Sequence, residues 1–199
     1  MYKNITGAIL AGGRAERLGG AVKSKLTVDG VPVISRILDV FTGIFEEILI
    51  VTNSPKEYCQ FVNCKIVSDK LKNIGPLGGI HAALEASSNE AVFVIAGDMP
   101  FPDGRIIIRI IDKFLEKKAD ITVPSLSDRL ESLHAVYTVS IFKKIEQHLA
   151  ESHDYSVRNF IEKMRIEKVP LEKSSGNLTA MTNLNSPADL RLLNTWRSE

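Results

Sequence analysis

Glycines and basic residues are concentrated in one segment near the amino terminus. Gly12 and Gly13 are adjacent and follow a short apolar run at residues 5–11. Four cations come next, at Arg14, Arg17, Lys23 and Lys25. Adjacent glycines let a backbone approach a ligand closely and turn its N–H groups toward an anion, whose charge the cations neutralise. The segment predicts a phosphate-binding loop, with a solvated flexible loop as the alternative.

Two common phosphate-binding loops do not fit this segment. The dinucleotide fingerprint G-x-G-x-x-G needs glycines one residue apart directly after the strand, and here they are adjacent. A Walker A loop needs Gly immediately before its Lys, whereas Val22 precedes Lys23. These spacings argue against a Rossmann dehydrogenase and a P-loop NTPase.

A carboxylate follows a second apolar run. Asp98 comes just after Ala91–Ala96, which has the composition of a buried strand. An aspartate at the carboxyl end of a central strand is placed to hold Mg²⁺ through its carboxylate and through triphosphate oxygens. The alternative is that Asp98 caps a helix that begins at Pro102.

Three further segments follow strand-like runs. Asn53 follows residues 47–52, and Asp69 follows the weaker run Lys65–Val67. Residues 75–79, with the sequence G-P-L-G-G, lead into a helix whose N-terminal amides can bind an anion or the edge of a base. A helix-capping turn at Asn53 and a plain turn at residues 75–79 are the alternatives.

The histidines and cysteines form no evident catalytic set. His134 lies within a strand-like run and is read as structural. The other histidines have the pattern of helix or surface residues: His81, His148 and His153. Cys59 and Cys64 are too few for a zinc site or a disulfide framework, which indicates two ordinary thiols in a reducing compartment.

Composition excludes several classes of partner. The formal net charge is +1, which gives no electrostatic footprint for nucleic acid or for an anionic membrane. Hydrophobic residues make up 44% of the chain, and no apolar run approaches the roughly 18 residues of a membrane span. The N-terminal apolar run is too short for a secretory signal. We therefore expect a cytoplasmic protein.

Strand and helix patterns alternate along the first half. Continuous apolar runs predict parallel strands at Ile5–Leu10, 47–52 and Ala91–Ala96, with weaker ones at Lys65–Val67 and 121–123. Helical patterns lie between them, at Val33–Phe41, 79–86 and 102–117. This order predicts a single three-layer α/β/α domain with a mostly parallel sheet and helices on both faces.

The second half has weaker patterns. Strands are predicted at residues 133–139 and 165–169, and helices at 141–149 and 156–163. Residues 171–182 read as a loop, and Ser186-Pro187 opens a last helix.

Taken together, these motifs resemble the GT-A-like nucleotidyltransferases, a Rossmann-like fold. The shared pattern is L-A-G-G-x-x-x-R-(L/M)-G followed by a Lys, then G-P-L-x-G-(I/L), then a strand ending in D-x-P. Among them the chain is most similar to the molybdenum cofactor guanylyltransferases. The similarity extends to L-H-A-V-Y at residues 133–137 and to N-L-N-S-P-A-D-L at residues 183–190.

The resemblance implies a role for each matching residue. Three would act in catalysis: Lys23 and Arg17 beside the phosphates, and Asp98 as the Mg²⁺ ligand. The nucleotide and acceptor contacts it implies are Leu10, Ala11, Gly12, Gly13, Lys23, Asn53, Asp69, Gly75, Gly78, Asp98, Asn183 and Asn185. Residues 1–100 would form the nucleotide-binding half and residues 101–199 the acceptor-binding half.

The chain departs from the family pattern at a few positions. Val22 stands where the family usually has Asp, and Lys25 adds a cation, so Lys25 is the alternative to Lys23 as the working lysine. Gly78 replaces a common Ala, and Ser186 replaces a usual Thr.

The implied reaction is transfer of GMP from GTP to the terminal phosphate of molybdopterin or the molybdenum cofactor, with Mg²⁺ as cofactor. The resemblance also implies transient contact with other cofactor-biosynthesis proteins or with acceptor proteins. Three alternatives stay open: a cytidylyltransferase for the same cofactor, a transferase for a sugar or polyol phosphate, and a non-catalytic nucleotide-binding protein.

Overall fold

One eight-stranded sheet runs through the part of the chain that the structure describes. The computed structural model describes residues 1–12, 14–15, 21–22, 27–71, 73–152, 154–184 and 189. The sheet contains β1 (Ile5–Leu10), β2 (Ile48–Val51), β3 (Lys65–Val67), β4 (Ala91–Ala96), β5 (Ile121–Leu126), β6 (Arg129–Leu130), β7 (His134–Thr138) and β8 (Ile166–Leu171). Two short hairpins lie outside it, one pairing Arg14–Ala15 with Ala21–Val22 and one pairing Thr27–Val28 with Val31–Pro32.

The first four strands of the sheet, β1 to β4, are all parallel. β1 lies between β2 and β4, and β2 pairs in turn with β3. β7 lies between β4 and β5 and pairs antiparallel with both, and β8 runs parallel to β5. The carboxyl ends of β1 to β5 therefore meet at one edge of the sheet, as the sequence predicted for a mostly parallel sheet.

Helices cover both faces of the sheet, which confirms the three-layer prediction. The helices are α1 (Val33–Phe41), α2 (Pro76–Ala86), α3 (Gly104–Lys117), α4 (Phe142–Glu151), α5 (Val157–Ile161) and α6 (Ser175–Ala180). Buried side chains of α1 and α3 pack in one apolar cluster, together with Ala180 from α6. Buried side chains of α2, α4 and α5 pack in a second cluster on the opposite face.

The predicted loop at residues 171–182 is wrong, because it contains α6. The Ser174 hydroxyl accepts a hydrogen bond from the Asn177 N–H at 3.3 Å and caps the helix. Ala180 and Met181 are buried in the core, which stabilises a helix whose S-S-G-N sequence is typical of a turn. The helix predicted at Ser186 falls outside the described residues.

Three other elements have boundaries that differ from the predicted ones, and local contacts explain each difference. α2 begins at Pro76 because Gly75 has a positive φ of 71° and Pro76 suits a first helical position. α3 begins at Gly104 because the Asp103 side chain accepts from the Arg105 N–H at 2.8 Å. β5 extends to Leu126 because it pairs with β6 across a turn at Ser127 and Asp128, both with positive φ. The sequence analysis did not predict β6.

Both cysteines are free thiols, as predicted. In the described part of the chain, no helix combines the length and apolar character that crossing a membrane requires.

Candidate active site

A cavity of about 510 Å³ opens where the central parallel strands end. Seven of the predicted site residues line it: Leu10, Gly12, Asn53, Asp69, Gly75, Asp98 and Asn183. They come from the ends of β1, β2, β3 and β4, from the start of α2 and from the segment after α6. A volume of this size is typical of small-molecule sites, which measure about 300–1,000 Å³.

Backbone hydrogen bonds hold the ends of β1 and β4 together at the floor of the cavity. The Gly97 N–H donates to the Leu10 carbonyl at 3.0 Å. A Cβ at Gly97 would lie 2.9 Å from that carbonyl oxygen, so only glycine allows this approach. As a result, the chain that leaves β4 passes directly beside the start of the glycine-rich segment.

The start of the glycine-rich segment is anchored from β2 and from the turn beyond it. The Ala11 N–H donates to the Val51 carbonyl at 2.9 Å, and the buried Tyr58 hydroxyl donates to the Ala11 carbonyl at 3.2 Å. Ala11 is itself buried and does not line the cavity. Ala11 was predicted to contact the nucleotide; in the structure it instead positions Gly12, which does line the cavity.

Asp98 lies at the floor of the cavity with only 1% of its surface exposed. Its backbone carbonyl accepts a hydrogen bond from the Leu184 N–H at 2.8 Å. This bond brings the neighbouring Asn183 to the cavity from a distant part of the sequence. The alternative of Asp98 as a helix cap is wrong, because Asp103 caps α3.

The oxygen donors of the cavity suit a hard cation. The described residues contain no group of three or more His, Cys, Asp or Glu side chains that could enclose a metal ion. Mg²⁺ is usually bound through one or two carboxylates together with substrate phosphates and water, so the Asp98 carboxylate has the donor chemistry that this ion requires.

Asp69 brings a second carboxylate to the cavity beside the first turn of α2. Its Oδ1 atom accepts a hydrogen bond from the Leu71 N–H at 2.8 Å. Burial raises the pKa of the Asp69 carboxyl, while the Leu71 N–H and the charge of His81 lower it in part. The cavity therefore holds an acceptor group whose orientation is fixed by the turn that carries it.

Several lining residues were not predicted as site residues. Val51 ends β2 and Thr52 follows it, Ala96 ends β4, and Leu133 precedes β7. Their strand-end positions were the signal that could have found them. Asn73 also lines the cavity and has a φ of 66°, a conformation that asparagine tolerates.

Six predicted residues do not contribute to the described lining, the buried Ala11 among them. Gly78 lies behind Asp69, outside the cavity. Four others fall outside the described residues: Gly13, Arg17, Lys23 and Asn185. Their predicted roles stay predictions.

The histidine that the sequence marked as structural lies inside the sheet. His134 is fully buried, its ring meets that of Phe93 edge to face at 5.2 Å, and burial lowers its pKa to about 3. Among the described residues, neither of its ring nitrogens has a hydrogen-bond partner. It does not line the cavity.

Comparison with known proteins assigns the chain to a family of nucleotidyltransferases. The MobA-like NTP transferase domain family matches residues 7–169, so the chain belongs to that family. A probable molybdenum cofactor guanylyltransferase of Natranaerobius thermophilus is 32% identical over 196 residues, covering 96% of this chain and 95% of the relative. A molybdenum cofactor guanylyltransferase of Desulfosudis oleivorans is 31% identical over 189 residues, covering 94% and 92%.

A solved structure shares the fold over almost the whole length. Molybdopterin-guanine dinucleotide biosynthesis protein A from Archaeoglobus fulgidus superimposes with a TM-score of 0.82 at 23% identity, covering 97% of this chain and 98% of that one.

Proposed function

We propose that this chain transfers GMP from GTP to the terminal phosphate of molybdopterin, with or without molybdenum, and releases pyrophosphate. The names of its relatives support a role in molybdenum cofactor biosynthesis. The observation that carries the proposal is the cavity in which Gly12, Asp69, Asp98 and Asn183 converge.

Asp69 is the group that supports guanine as the base. An ionised carboxylate has only acceptors, and guanine presents two neighbouring donors, its N1–H and its exocyclic amine. Cytosine and adenine each present one donor beside one acceptor on the same edge. A carboxylate held at the cavity wall therefore pairs best with guanine.

The transfer itself needs positioning more than acid–base chemistry. An oxygen of the acceptor phosphate forms a bond to the α-phosphorus of GTP as the bond from that phosphorus to the bridging oxygen breaks, and pyrophosphate leaves with the electron pair. The acceptor oxygen is already anionic near neutral pH, so no strong general base is required. The protein must align two polyanions and offset their charge.

The chain's own residues meet these two needs in different places. The backbone at Gly12 would hold the phosphates, with Lys23 as the expected cation of the same segment. Asn183, fixed beside Asp98 through the Leu184 N–H, would contact the acceptor side. Asp98 would hold Mg²⁺, which when bound offsets phosphate charge as a Lewis acid.

Base preference is the first test of the proposal. Thermal denaturation of the chain with Mg²⁺ and GTP, CTP, ATP or UTP should give the largest stabilisation with GTP, because a ligand at 100 times its Kd adds about 2.7 kcal/mol. Asp69→Asn, which turns one acceptor into a donor, should reduce the preference for GTP. A larger shift with CTP than with GTP would instead favour the cytidylyltransferase.

A further inference from the structure

Arg36 lies in α1 and contacts the hairpin that follows the glycine-rich segment. Its Nη2 atom donates a hydrogen bond to the Val28 carbonyl at 2.7 Å and lies 3.4 Å from the Asp29 carboxylate. Val28 is buried in the first strand of that hairpin. In the sequence, Lys23 and Lys25 precede Val28 by five and three residues. The guanidinium therefore fixes the point at which the chain leaves the segment that carries the expected catalytic lysine.

The same guanidinium lies over an aromatic ring in the turn after β4. The Cζ atom of Arg36 is 5.4 Å from the centre of the Phe101 ring, which is within the distance of a cation–π contact. Phe101 comes three residues after Asp98, in the turn that carries the expected Mg²⁺ ligand. One side chain thus contacts both the hairpin and this turn.

The burial of Arg36 is unfavourable in one respect. Among the described residues, its buried Nε atom has no hydrogen-bond partner, and a buried donor without an acceptor costs free energy. The side chain is only 23% exposed, so the guanidinium is largely removed from water. An apolar side chain of similar length would fill the same space without an unpaired donor. What it could not supply is the pair of contacts with the hairpin and with the aromatic ring.

Arg36 is not among the residues that line the active-site cavity. Any effect of this residue on the reaction is therefore exerted through the two segments that it holds. Transfer between two polyanions depends on the alignment of the groups that offset their charge, and a misplacement of about 1 Å can lower the rate on the order of 100-fold. A contact between the segments that carry Lys23 and Asp98 is placed to set this alignment.

We propose that Arg36 is a positioning residue for nucleotidyl transfer, which holds the hairpin after the glycine-rich segment against the turn that carries Asp98. The proposal rests on the proposed function, because it takes these segments to supply the cation and the metal ligand of that reaction. Without this link GTP still binds, but the groups that offset charge in the transition state are misaligned. The rate of transfer then falls more than the affinity for GTP.

Steady-state kinetics of Arg36→Met test this difference. Met keeps an unbranched side chain and removes both contacts, together with the unpaired Nε–H. The kcat for dinucleotide formation should fall about tenfold and the KM for GTP should change less than about threefold, as expected for an interaction that acts in the transition state. Urea denaturation should give a stability close to that of wild type. A wild-type kcat in folded Arg36→Met would overturn the proposal.

Arg109→Met is the matched control. The Arg109 guanidinium also joins a helix to a backbone carbonyl, that of Pro170 in β8, at 2.9 Å. Neither of these residues lines the active-site cavity, so the variant removes a comparable hydrogen bond at a different place. It should leave kcat and KM unchanged. A loss of kcat as large as that of Arg36→Met would show a general effect of such bonds and would contradict the proposal.

Phe101 offers a second variant, which leaves the charge of Arg36 in place. Phe101→Ala removes the ring beneath the guanidinium and should also lower kcat, and it tests the link even if Arg36→Met does not fold. Because the two substitutions break the same link, their combined effect on kcat should be smaller than the product of the separate effects. Effects that multiply would show that the two residues act independently and would overturn the proposal.

Hydrogen exchange measures the link without the reaction. Phe101→Ala should accelerate amide exchange in residues 27–32, because the disturbance reaches the hairpin through Arg36. The same substitution in an Arg36→Met background should add no further acceleration there. Exchange in the hairpin that does not respond to Phe101→Ala would contradict the link.

Failure of the proposed function would be seen separately, in the wild-type chain. If wild type forms no dinucleotide while exchange in the hairpin still responds to Phe101→Ala through Arg36, the assigned reaction is wrong and the link between the two segments stands. If wild type forms the dinucleotide and the hairpin does not respond, the reaction stands and the role of Arg36 is wrong.

Discussion

His134 places an ionisable ring in the interior of the sheet, where burial lowers its pKa to about 3 from an ordinary value of 6.5. Between these two values the unfolded chain binds a proton at this residue and the folded chain does not. The stability that depends on neutral His134 is therefore fully present above about pH 6.5 and is lost as the pH falls.

This shift predicts a measurable pH dependence. The free energy of unfolding of the wild-type chain should fall by up to about 1.4 kcal/mol per pH unit below pH 6.5 through this residue alone. His134→Leu should remove that contribution, so that its stability relative to wild type rises between pH 7 and pH 5 in urea denaturation. Parallel pH dependences for the two proteins would contradict this account.

The sequence predicted individual site residues where chain position and chemistry coincide. Asp98 and Asn53 each follow a recognisable strand, so their place at the sheet edge could be expected. The close approach of Gly78 to Asp69 could not, because the linear sequence does not encode it. Asn73 was missed for a similar reason, since only the turn before α2 brings it to the cavity.

At the scale of elements, Gly7 in the middle of β1 allows α1 and the turn after it to approach the sheet. A Cβ at Gly7 would lie 2.6 Å from the Phe45 ring and 2.8 Å from the Phe41 ring. The rings of Phe41, Phe45 and Phe93 pack against one another, with centroids 4.8 to 6.0 Å apart. These rings are fully or almost fully buried, so they have little room to adjust.

We therefore expect Gly7→Ala to lower the free energy of unfolding by about 1–3 kcal/mol through overpacking. Gly43→Ala is the control, because its nearest neighbour would be the Val40 carbonyl at an ordinary 3.6 Å. Urea denaturation of both variants measures the difference. Equal stability of Gly7→Ala and Gly43→Ala would contradict this prediction, because it would show that the aromatic rings move to accommodate the added methyl group.

Elements with a clear apolar pattern could be predicted from the sequence, and elements without one could not. β1, β4 and α1 have the predicted bounds, because continuous runs and a clear helical stripe specify them locally. β6 and α6 were missed, since neither the two residues of β6 nor the six residues S-G-N-L-T-A of α6 carry such a pattern. Tertiary pairing with β5 and burial of Ala180 decide those two elements.

At the scale of the whole molecule, the order in which the chain adds strands to the sheet reverses at β1. From β1 the chain passes outward to β2 and β3, and then returns to place β4 on the other side of β1. In open α/β sheets ligands bind at the carboxyl ends of strands where the order reverses in this way. The cavity lies at that point, which is why the alternation of strands and helices in the sequence already located it.

The predicted acceptor-binding half, residues 101–199, follows less directly from the sequence. The segment after α6 reaches the cavity through one backbone bond, from the Leu184 N–H to the Asp98 carbonyl. The motif at residues 183–190 was recognised only by resemblance, and most of it lies outside the described residues. Its role at the acceptor is therefore argued from Asn183 alone.

Formation of a labelled dinucleotide tests the central claim most directly. Wild-type chain incubated with Mg²⁺, molybdopterin and GTP labelled at its α-phosphate should yield a labelled guanine dinucleotide and an equal amount of pyrophosphate. Asp98→Asn, which keeps the shape of the side chain and removes its charge, should lower the rate on the order of 100-fold. Asp39→Asn, at an exposed position outside the cavity, should leave it unchanged. No labelled dinucleotide from wild type, or a near wild-type rate from folded Asp98→Asn, would contradict the account.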